Sequence, residues 1–277
     1  MIIKFLEHKN LQEKLITFGK KAYPKFGNVV ILAGGAGSGK GFQLEKLLGI
    51  EGKVFDVDHL KQLAIKSEMF SKRIKDETGQ DIKNYDLKNP DSVSKLHDVL
   101  SSVYNLPKKN ERTMFADILT RPKDRLPNLI FDVTMKDLSK LDSITRNVSE
   151  LGYDKLNIHL VWIVNDFKVA IEQNKKRSRV VSDEILMSTH EGAALTMKKI
   201  LDSGEKIKKY LDGDIYITFN KVGVDTSLEK SDKGGSYVKD ANYIKVKEQG
   251  KSVKSTSELD DEIYNKIKDY VPDVQTW

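Results

Sequence analysis

The amino-acid sequence predicts an α/β fold in which a mostly parallel sheet is covered by helices on both faces. Short apolar runs alternate along the chain with longer segments in which apolar residues recur every three or four positions. The runs are continuously apolar, as in VVILA at 29–33 and LNIHLVWIV at 156–164. Strands of this kind are buried on both faces, which is the environment of a parallel sheet between two helical layers.

The predicted elements follow in chain order, with glycine and proline at most of the breaks. Leu11, Leu15 and Phe18 have helical spacing and predict a short N-terminal helix that ends near Tyr23 and Pro24. Strands are predicted at 29–33, 53–58, 129–134, 156–164 and 214–220. Helices are predicted at 42–48, 60–75, 91–104, 166–177, 182–211 and 257–270, with one more ending at Leu151, and a β-hairpin or pair of edge strands at 236–247.

Composition limits the possible functions. The 277 residues are 39% hydrophobic and 32% charged, as in a folded globular protein. No run approaches about 18 apolar residues and the first ten residues lack a signal-peptide core, so we expect no membrane span and a cytoplasmic location. Zero cysteines exclude disulfides and thiolate metal sites, and the five histidines show no metal-ligand spacing, so each is interpreted as surface or structural. A net charge of +6 permits anionic substrates without indicating nucleic-acid binding.

A glycine-rich turn follows the first predicted strand. Residues 34–40 read GGAGSGK, which fits the phosphate-loop pattern Gly-x-x-x-x-Gly-Lys. Because a strand precedes the turn and a helix follows it, its backbone N–H groups can converge on a phosphate. Glycines let the main chain approach the anion closely, and Lys40 supplies positive charge for the β- and γ-phosphates. We therefore expect ATP to bind through Gly35, Ala36, Gly37, Ser38, Gly39, Lys40, Gly41 and Phe42.

Position 41 is glycine, where many phosphate loops have a serine or threonine that holds magnesium. The wider loop, GGAGSGKGFQ at 34–43, resembles the GGPGSGKGTQ loop of adenylate and other nucleoside monophosphate kinases. Those kinases also have glycine after the lysine, and phosphates and water hold most of their magnesium. Ala36 replaces their proline and Phe42 their threonine. The resemblance implies a working ATP site with Mg²⁺ bound mainly through phosphates and outer-shell carboxylates.

Residues 28–220 also resemble the zeta-toxin group of P-loop kinases and their small-molecule and polynucleotide kinase relatives. That group phosphorylates a hydroxyl on a sugar nucleotide. VDHLK at 57–61 matches its D-x-L-R pattern, with lysine in place of the common arginine. DVT at 132–134 and the basic segment NKKRSRVV at 174–181 match two further segments. The resemblance implies a P-loop NTPase three-layer sandwich, here with a helical insertion and a C-terminal β-hairpin plus helix.

Each candidate residue has a physical role, because phosphoryl transfer requires neutralisation of charge around a loose transition state. The resemblance implies that Asp58 is the general base, although a helix cap is the alternative. Asp132 ends an apolar run in the manner of a magnesium-binding acid, and Asp56 could bind magnesium or cap the next helix. A break near Ser178 would let Arg177 and Arg179 converge on one anion as a lid. The remaining assignments are acceptor binding by Lys61 and Thr134 and an adenine contact from Asn220.

The sequence therefore predicts an ATP-dependent kinase that phosphorylates a hydroxyl of a small molecule, nucleotide or nucleotide sugar. The alternatives are a nucleoside monophosphate kinase, a polynucleotide or DNA-base kinase using the basic region 105–125, an ATP-binding switch or assembly module, and a structural protein. Nucleic acid is not favoured, because acidic residues are interspersed in that region. We expect a kinase domain at 1–220, with an insertion at about 65–127 and a lid at about 174–182, and an appendage at 221–277.

Overall fold

A computed structural model describes residues 14–19, 23–220, 226–230 and 236–267. Its strands are β1 (Val29–Ala33), β2 (Lys53–Asp56), β3 (Leu129–Val133), β4 (Ile158–Val164), β5 (Ile215–Phe219), β6 (Thr226–Lys230), β7 (Ser236–Ala241) and β8 (Tyr243–Lys247). Six of them form one sheet in the order β2-β3-β1-β4-β5-β8. β1 to β5 run parallel, and β8 is antiparallel to β5. The predicted α/β class with a mostly parallel sheet is confirmed.

Helices cover both faces of this sheet. They are α1 (Lys40–Lys46), α2 (Val57–Lys66), α3 (Glu68–Thr78), α4 (Pro90–Asp98), α5 (Leu106–Leu119), α6 (Leu138–Glu150), α7 (Phe167–Lys176), α8 (Asp183–Leu201) and α9 (Thr256–Ile267). Alternate side chains of β1 enter two different cores, because successive residues of a strand point to opposite faces. Ile31 packs in the core that includes α6 and α8 residues, and Leu32 packs in the core that includes Leu47 and Leu48.

The strand register brings the carboxyl ends of β1, β2 and β3 to one edge of the sheet. Asp132 lies opposite Leu32 of β1 and opposite Asp56 of β2. The glycine-rich turn leaves β1 at the same edge, since it begins directly after Ala33. Open parallel sheets bind their ligands at this edge, so the topology itself gathers the predicted site residues.

The long connection between β2 and β3 is helical, as predicted, and contains α2 to α5. These helices have a small core of their own, which includes Ile74, Leu96 and Tyr104. A turn of π-helix at Val99–Val103 joins α4 to the segment before α5. The insertion follows the edge strand β2, so its first helix begins at the same edge of the sheet as the glycine-rich turn, with β3 between β2 and β1.

Several predicted elements differ from the structure. The helix predicted at 60–75 is two helices separated at Ser67, and the α-helix predicted at 182–211 ends at Leu201. The N-terminal helix is wrong over residues 14–19, where Ile16 forms a parallel bridge with Leu48 and both Ile16 and Phe18 are buried in strand-like alternation; Leu11 lies outside the described residues. The second strand ends at Asp56 rather than at position 58, because α2 begins at Val57.

The segment 236–247 forms two edge strands, one of the two predicted alternatives, and not a hairpin. β7 pairs with β6 in a separate two-stranded sheet, whereas β8 joins the edge of the main sheet beside β5. A C-terminal hairpin therefore exists, but it consists of β6 and β7. None of the helices in the described part of the chain has both the length and the apolar character that crossing a bilayer requires.

Candidate active site

The glycine-rich turn packs tightly against the elements around it. Gly39 is the N-cap of α1 and has a φ of 91°, and Gly37 has a φ of 75°, so both adopt the left-handed conformation that favours glycine. A Cβ on Gly39 would overlap the side-chain amide of Asn220. That amide donates to the carbonyl oxygen of Ser38 at 2.9 Å. This hydrogen bond from Asn220 fixes the backbone of the loop at Ser38.

The concave side of the loop offers backbone donors. No side chain caps α1, so the first-turn N–H groups at Lys40 and Gly41 lack the partner that a cap would supply. Within the described residues, the N–H groups of Gly37 and Gly39 also donate to no protein acceptor. Four N–H groups without a protein acceptor at the start of a helix are a candidate cradle for an anion. The N–H of Ser38 is not among them, since it donates to the carbonyl of Gly35 at 3.2 Å.

Lys40 lies across this cradle. Its ammonium donates to the carbonyl oxygens of Gly34 at 2.8 Å and Gly35 at 3.2 Å. It also lies 3.7 Å from Oδ1 of Asp132. Burial raises the pKa of Asp132 to about 6, and the charges of Asp56 and Asp58 add to this effect, although Lys40 opposes it. The Asp132 carboxylate is therefore costly to keep ionised and gains from any additional cation nearby.

The two candidate metal ligands have different environments. Asp56 caps α2, since its Oδ1 accepts hydrogen bonds from the N–H groups of Asp58 at 2.8 Å and His59 at 3.1 Å. Asp132 has no such backbone commitment and faces Lys40. No cluster of three or more His, Cys, Asp and Glu residues in the described ranges could hold a metal by itself. This donor set fits Mg²⁺ held chiefly by phosphates and water, which needs only one or two protein carboxylates.

Asp58 lies in the first turn of α2, among cations. Its Oδ2 accepts a hydrogen bond from Arg179, and Arg177 lies 3.8 Å from the same oxygen. Lys61 lies 3.8 Å from Oδ1. Burial alone would raise the pKa of Asp58, but Arg179, Lys61 and Arg177 outweigh burial and hold that pKa below its ordinary value. The carboxylate is therefore ionised at neutral pH.

The chain brings both arginines to Asp58 by ending α7 at Lys176. Arg177 is extended, with a φ of −68° and a ψ of 156°. The buried side chain of Asn174 closes the loop that follows: its amide donates to the carbonyl of Val181 at 2.8 Å and its oxygen accepts from the N–H of Val181 at 3.2 Å. The N–H of Val180 donates to Leu87 in the insertion at 2.9 Å. We call residues 177–181 the arginine loop.

The inner end of the arginine loop is almost closed to solvent. Arg179 is 7% exposed and Lys61 is 2% exposed. The Lys61 ammonium lies 2.6 Å from Nδ1 of His97, and burial lowers the pKa of Lys61 to about 8 even though Asp58 raises it. Nε of Arg179 has no hydrogen-bond partner within the described residues. Three cationic side chains thus share one carboxylate.

Other predicted residues are placed as follows. Thr134 is half-buried directly after β3, at the same edge as Asp132. Phe42 packs against the core beneath α1, so its side chain serves packing. Asn220 holds the loop at Ser38, which the sequence did not predict. In the basic region, Lys109 pairs with Glu77 and Arg121 pairs with Asp117.

Sequence reasoning missed two residues of α8. Thr189 and His190 contact the backbone of Ala36 in the phosphate loop. The sequence predicts only a surface or structural role for His190, because the histidines show no ligand spacing. A usable signal exists for Thr189, since it shares the buried face of α8 with Leu186 and Ala193 and is the polar residue between them.

Comparisons with known proteins give structural matches alone. No protein-family model matches the chain, and no curated protein matches it significantly. The chain is similar to a chain of the AvrRxo1-ORF1:AvrRxo1-ORF2 complex with sulphate ions, with a TM-score of 0.45 and 13% identity over 86% of this chain and 63% of that one. It therefore spans less than two thirds of that chain.

Two further matches are weaker. The chain is similar to the PezAT toxin–antitoxin system of Streptococcus pneumoniae, with a TM-score of 0.39 and 13% identity over 78% of this chain and 73% of that one. It is also similar to deoxyadenosine kinase of M. mycoides with bound dATP, with a TM-score of 0.28 and 17% identity over 62% and 85%. The last of these neighbours is a kinase by its description. Likeness at these scores says nothing about the activity of this chain.

Proposed function

We propose that the protein is an ATP-dependent phosphotransferase that moves the γ-phosphate of ATP to a hydroxyl of a small molecule, nucleotide or nucleotide sugar. One observation carries the proposal: an open phosphate cradle with Lys40 shares its edge of the sheet with an ionised carboxylate, Asp58, and two arginines. Asp132 is close enough to both groups that Lys40, Asp58 and Arg177 all act on its pKa. Donor, acceptor and transition-state charges can thus be handled in one crevice.

The chemistry assigns each group one task. The acceptor hydroxyl oxygen attacks the γ-phosphorus, the bond from that phosphorus to the β,γ-bridging oxygen breaks, and ADP leaves. The hydroxyl proton goes to the Asp58 carboxylate, which is ionised because of its cationic neighbours. With a pKa below the ordinary value, Asp58 is a weak base, so its main contribution is to orient the hydroxyl.

In this structure both arginines form ion pairs with Asp58. A bound triphosphate adds several negative charges within the same crevice and competes for them. We propose that Arg177 or Arg179 then bridges the transferring phosphate, as an arginine finger supplied by the same chain. This exchange also uncovers Asp58 for the acceptor hydroxyl.

Asp132 is the residue that would hold Mg²⁺, through water or directly, because Asp56 is committed to the cap of α2. When bound, the ion supplies charge neutralisation at the β- and γ-phosphates. Lys40 shares that task and keeps Asp132 oriented toward the cradle.

A second candidate is a nucleoside monophosphate kinase. Lys61, Arg177 and Arg179 together outnumber the single carboxylate of Asp58, and this surplus of positive charge suits an acceptor that carries a phosphate. Such an enzyme transfers to a phosphate oxygen and does not need Asp58 as a base.

The proposal is tested by replacing the cradle lysine. Lys40→Ala should abolish ATP binding, measured by calorimetry, and transfer of radiolabelled γ-phosphate to a panel of nucleosides, nucleotide sugars and oligonucleotides. The fold should remain, because the Lys40 ammonium contacts the loop and Asp132 rather than the core. Lys168→Ala is a matched control, since Lys168 is an exposed lysine on α7. Wild-type ATP affinity and turnover in Lys40→Ala would exclude the phosphate-loop site.

A further inference from the structure

Helix α8 crosses the phosphate loop and holds it at one residue. The N–H of Ala36 donates to Oγ1 of Thr189 at 2.9 Å, and Nε2 of His190 donates to the carbonyl oxygen of Ala36 at 2.8 Å. Two consecutive residues of one helix therefore satisfy both backbone polar groups of a single loop residue. Ala36 is the residue directly before the part of the loop whose N–H groups form the cradle.

Both contacts are chemically specific. The Thr189 hydroxyl donates to the carbonyl of Leu186 at 2.6 Å, which leaves its lone pairs for the Ala36 N–H. A carbonyl oxygen can only accept, so the hydrogen of the His190 ring resides on Nε2. Burial lowers the pKa of His190, and the nearby charge of Lys40 lowers it further, although the bond to Ala36 opposes this. His190 is therefore a neutral donor at pH 7.

The contact of His190 with the loop also explains why residue 35 is glycine. A Cβ on Gly35 would overlap the ring of His190. The φ of Gly35 is not in the left-handed region, so its backbone conformation does not itself require glycine. Glycine is needed at 35 because the imidazole lies directly on the backbone there. By contrast, Gly37 and Gly39 are required by their own positive φ angles.

We infer that Thr189 and His190 are positioning residues of the nucleotide site, an inference that rests on the proposed ATP-binding function. They tie the Ala36 N–H away from the cradle and fix residues 35–36 against α8, so that the cradle N–H groups of Gly37, Gly39, Lys40 and Gly41 stay available to the phosphates. The pair lies two turns into the helix whose N-cap, Ser182, directly follows the arginine loop. Helix α8 therefore positions both the phosphate cradle and the arginine loop.

A double-mutant cycle tests the pairing. Gly35→Ala should raise the Kd for a non-hydrolysable ATP analogue by roughly fivefold or more, because the new methyl group displaces His190 from the loop. His190→Ala should raise it by a similar factor. In the double variant, Gly35→Ala should cost almost nothing further, since the ring that it clashes with is gone. Additive losses in the double variant would overturn the inference.

Conservative variants separate positioning from general packing. Thr189→Ser and His190→Gln keep an acceptor and a donor, and they should restore most of the affinity that Thr189→Val and His190→Ala lose. Ser188→Ala, on the same helix but exposed, is the control. If all of these variants shift the melting temperature but leave the analogue Kd at the wild-type value, the pair is packing only and the inference fails. If wild-type protein binds no analogue, the proposed function fails instead, which is a different outcome.

Discussion

The two ends of the central strands contain buried polar clusters of opposite character. At the amino end, Asp214 is 1% exposed and both of its carboxylate oxygens accept hydrogen bonds. Oδ2 accepts from the N–H of Gly19 at 2.6 Å, and Oδ1 accepts from the N–H of Gln249 at 3.1 Å. His159 accepts from the N–H of Asp214 at 2.9 Å, and its other ring nitrogen lies 3.2 Å from Oδ1 of Asn28.

The carboxyl end is the reverse. Four of the ten buried side-chain atoms without a partner in the described residues belong to this end, namely Ser38 Oγ, Asn165 Oδ1, Arg179 Nε and Asn220 Oδ1; others, such as Ser149 Oγ and Thr226 Oγ1, lie elsewhere. The pKa values differ in the same sense. Burial would raise the pKa of Asp214, but the hydrogen bond from the N–H of Gly19 and the charge of Lys245 help to hold it at about 2, whereas the pKa of Asp132 is raised to about 6, mainly by burial. Buried polar groups that have hydrogen-bond partners stabilise the fold, whereas buried polar groups without partners are candidates for contacts with a ligand.

The largest expected effect is at the arginine loop. Arg179→Ala should lower kcat by about 10³-fold if the guanidinium bridges the transferring phosphate, because that contact strengthens in the transition state. The Kd for ATP should change much less. Arg177→Ala tests the other arginine, and Lys208→Ala, at an exposed pair with Glu205, is the control. If the kcat values of both arginine variants remain within about threefold of the control value, neither arginine bridges the transferring phosphate and the contrast between the two ends fails.

Asp58→Asn should lower kcat by about 10²-fold, since it removes the group that we propose orients the hydroxyl and accepts its proton. ATP should bind at least as tightly as before, because the arginines lose the carboxylate that competes for them. Single-turnover transfer together with calorimetry measures both quantities. Full turnover in this variant would instead favour a phosphate acceptor and the monophosphate kinase.

Asp214→Asn should have the smallest effect on function and act on stability instead. Loss of charged hydrogen bonds at a buried site should lower the free energy of unfolding by about 2 kcal/mol at pH 7, with kcat per folded molecule unchanged. The folded pKa of about 2 lies below the ordinary 3.8, so this stabilisation is present above pH 4 and is lost as the pH falls toward 2. Denaturant unfolding of both proteins between pH 7 and pH 2 should therefore show converging stabilities. A constant difference, or reduced kcat, would contradict the division of labour between the two ends.

Much of the nucleotide site follows from local sequence. The glycines at 34–39 and Lys40 predict the loop because its conformation depends on residues next to one another. The parallel sheet likewise follows from continuous apolar runs. The pairing of the arginine loop with Asp58 spans 121 positions and depends on the helix end at Lys176, so the local pattern could indicate convergence on an anion but not which anion.

Contacts between residues that are far apart in the sequence could not be predicted from the local sequence pattern. Leu15 and Phe18 have helical spacing and Ile16 and Phe18 have strand spacing, so the short stretch fits either element, and the pairing of Ile16 with Leu48 decides between them. The role of His190 depends on a contact 154 positions away. The division of 236–247 between two sheets depends on β5, whose edge accepts β8 in place of β7.

The two edge strands of the main sheet, β2 and β8, bear on whether the protein stays dispersed at high concentration. The outer side of β8 is partly covered, since the N–H of Lys254 donates to the carbonyl of Val246 at 3.0 Å. An unpaired strand edge is a template on which another molecule can add a strand, and short strands or inward-pointing charges discourage this. β2 has four residues, and β8 carries Lys247, whose ammonium is enclosed by oxygens of Asp212, Gly213 and Glu248. A slip of β8 by one position would take this ammonium out of its oxygen cage. The edge is therefore locked in register and is a poor seed for intermolecular β-sheet.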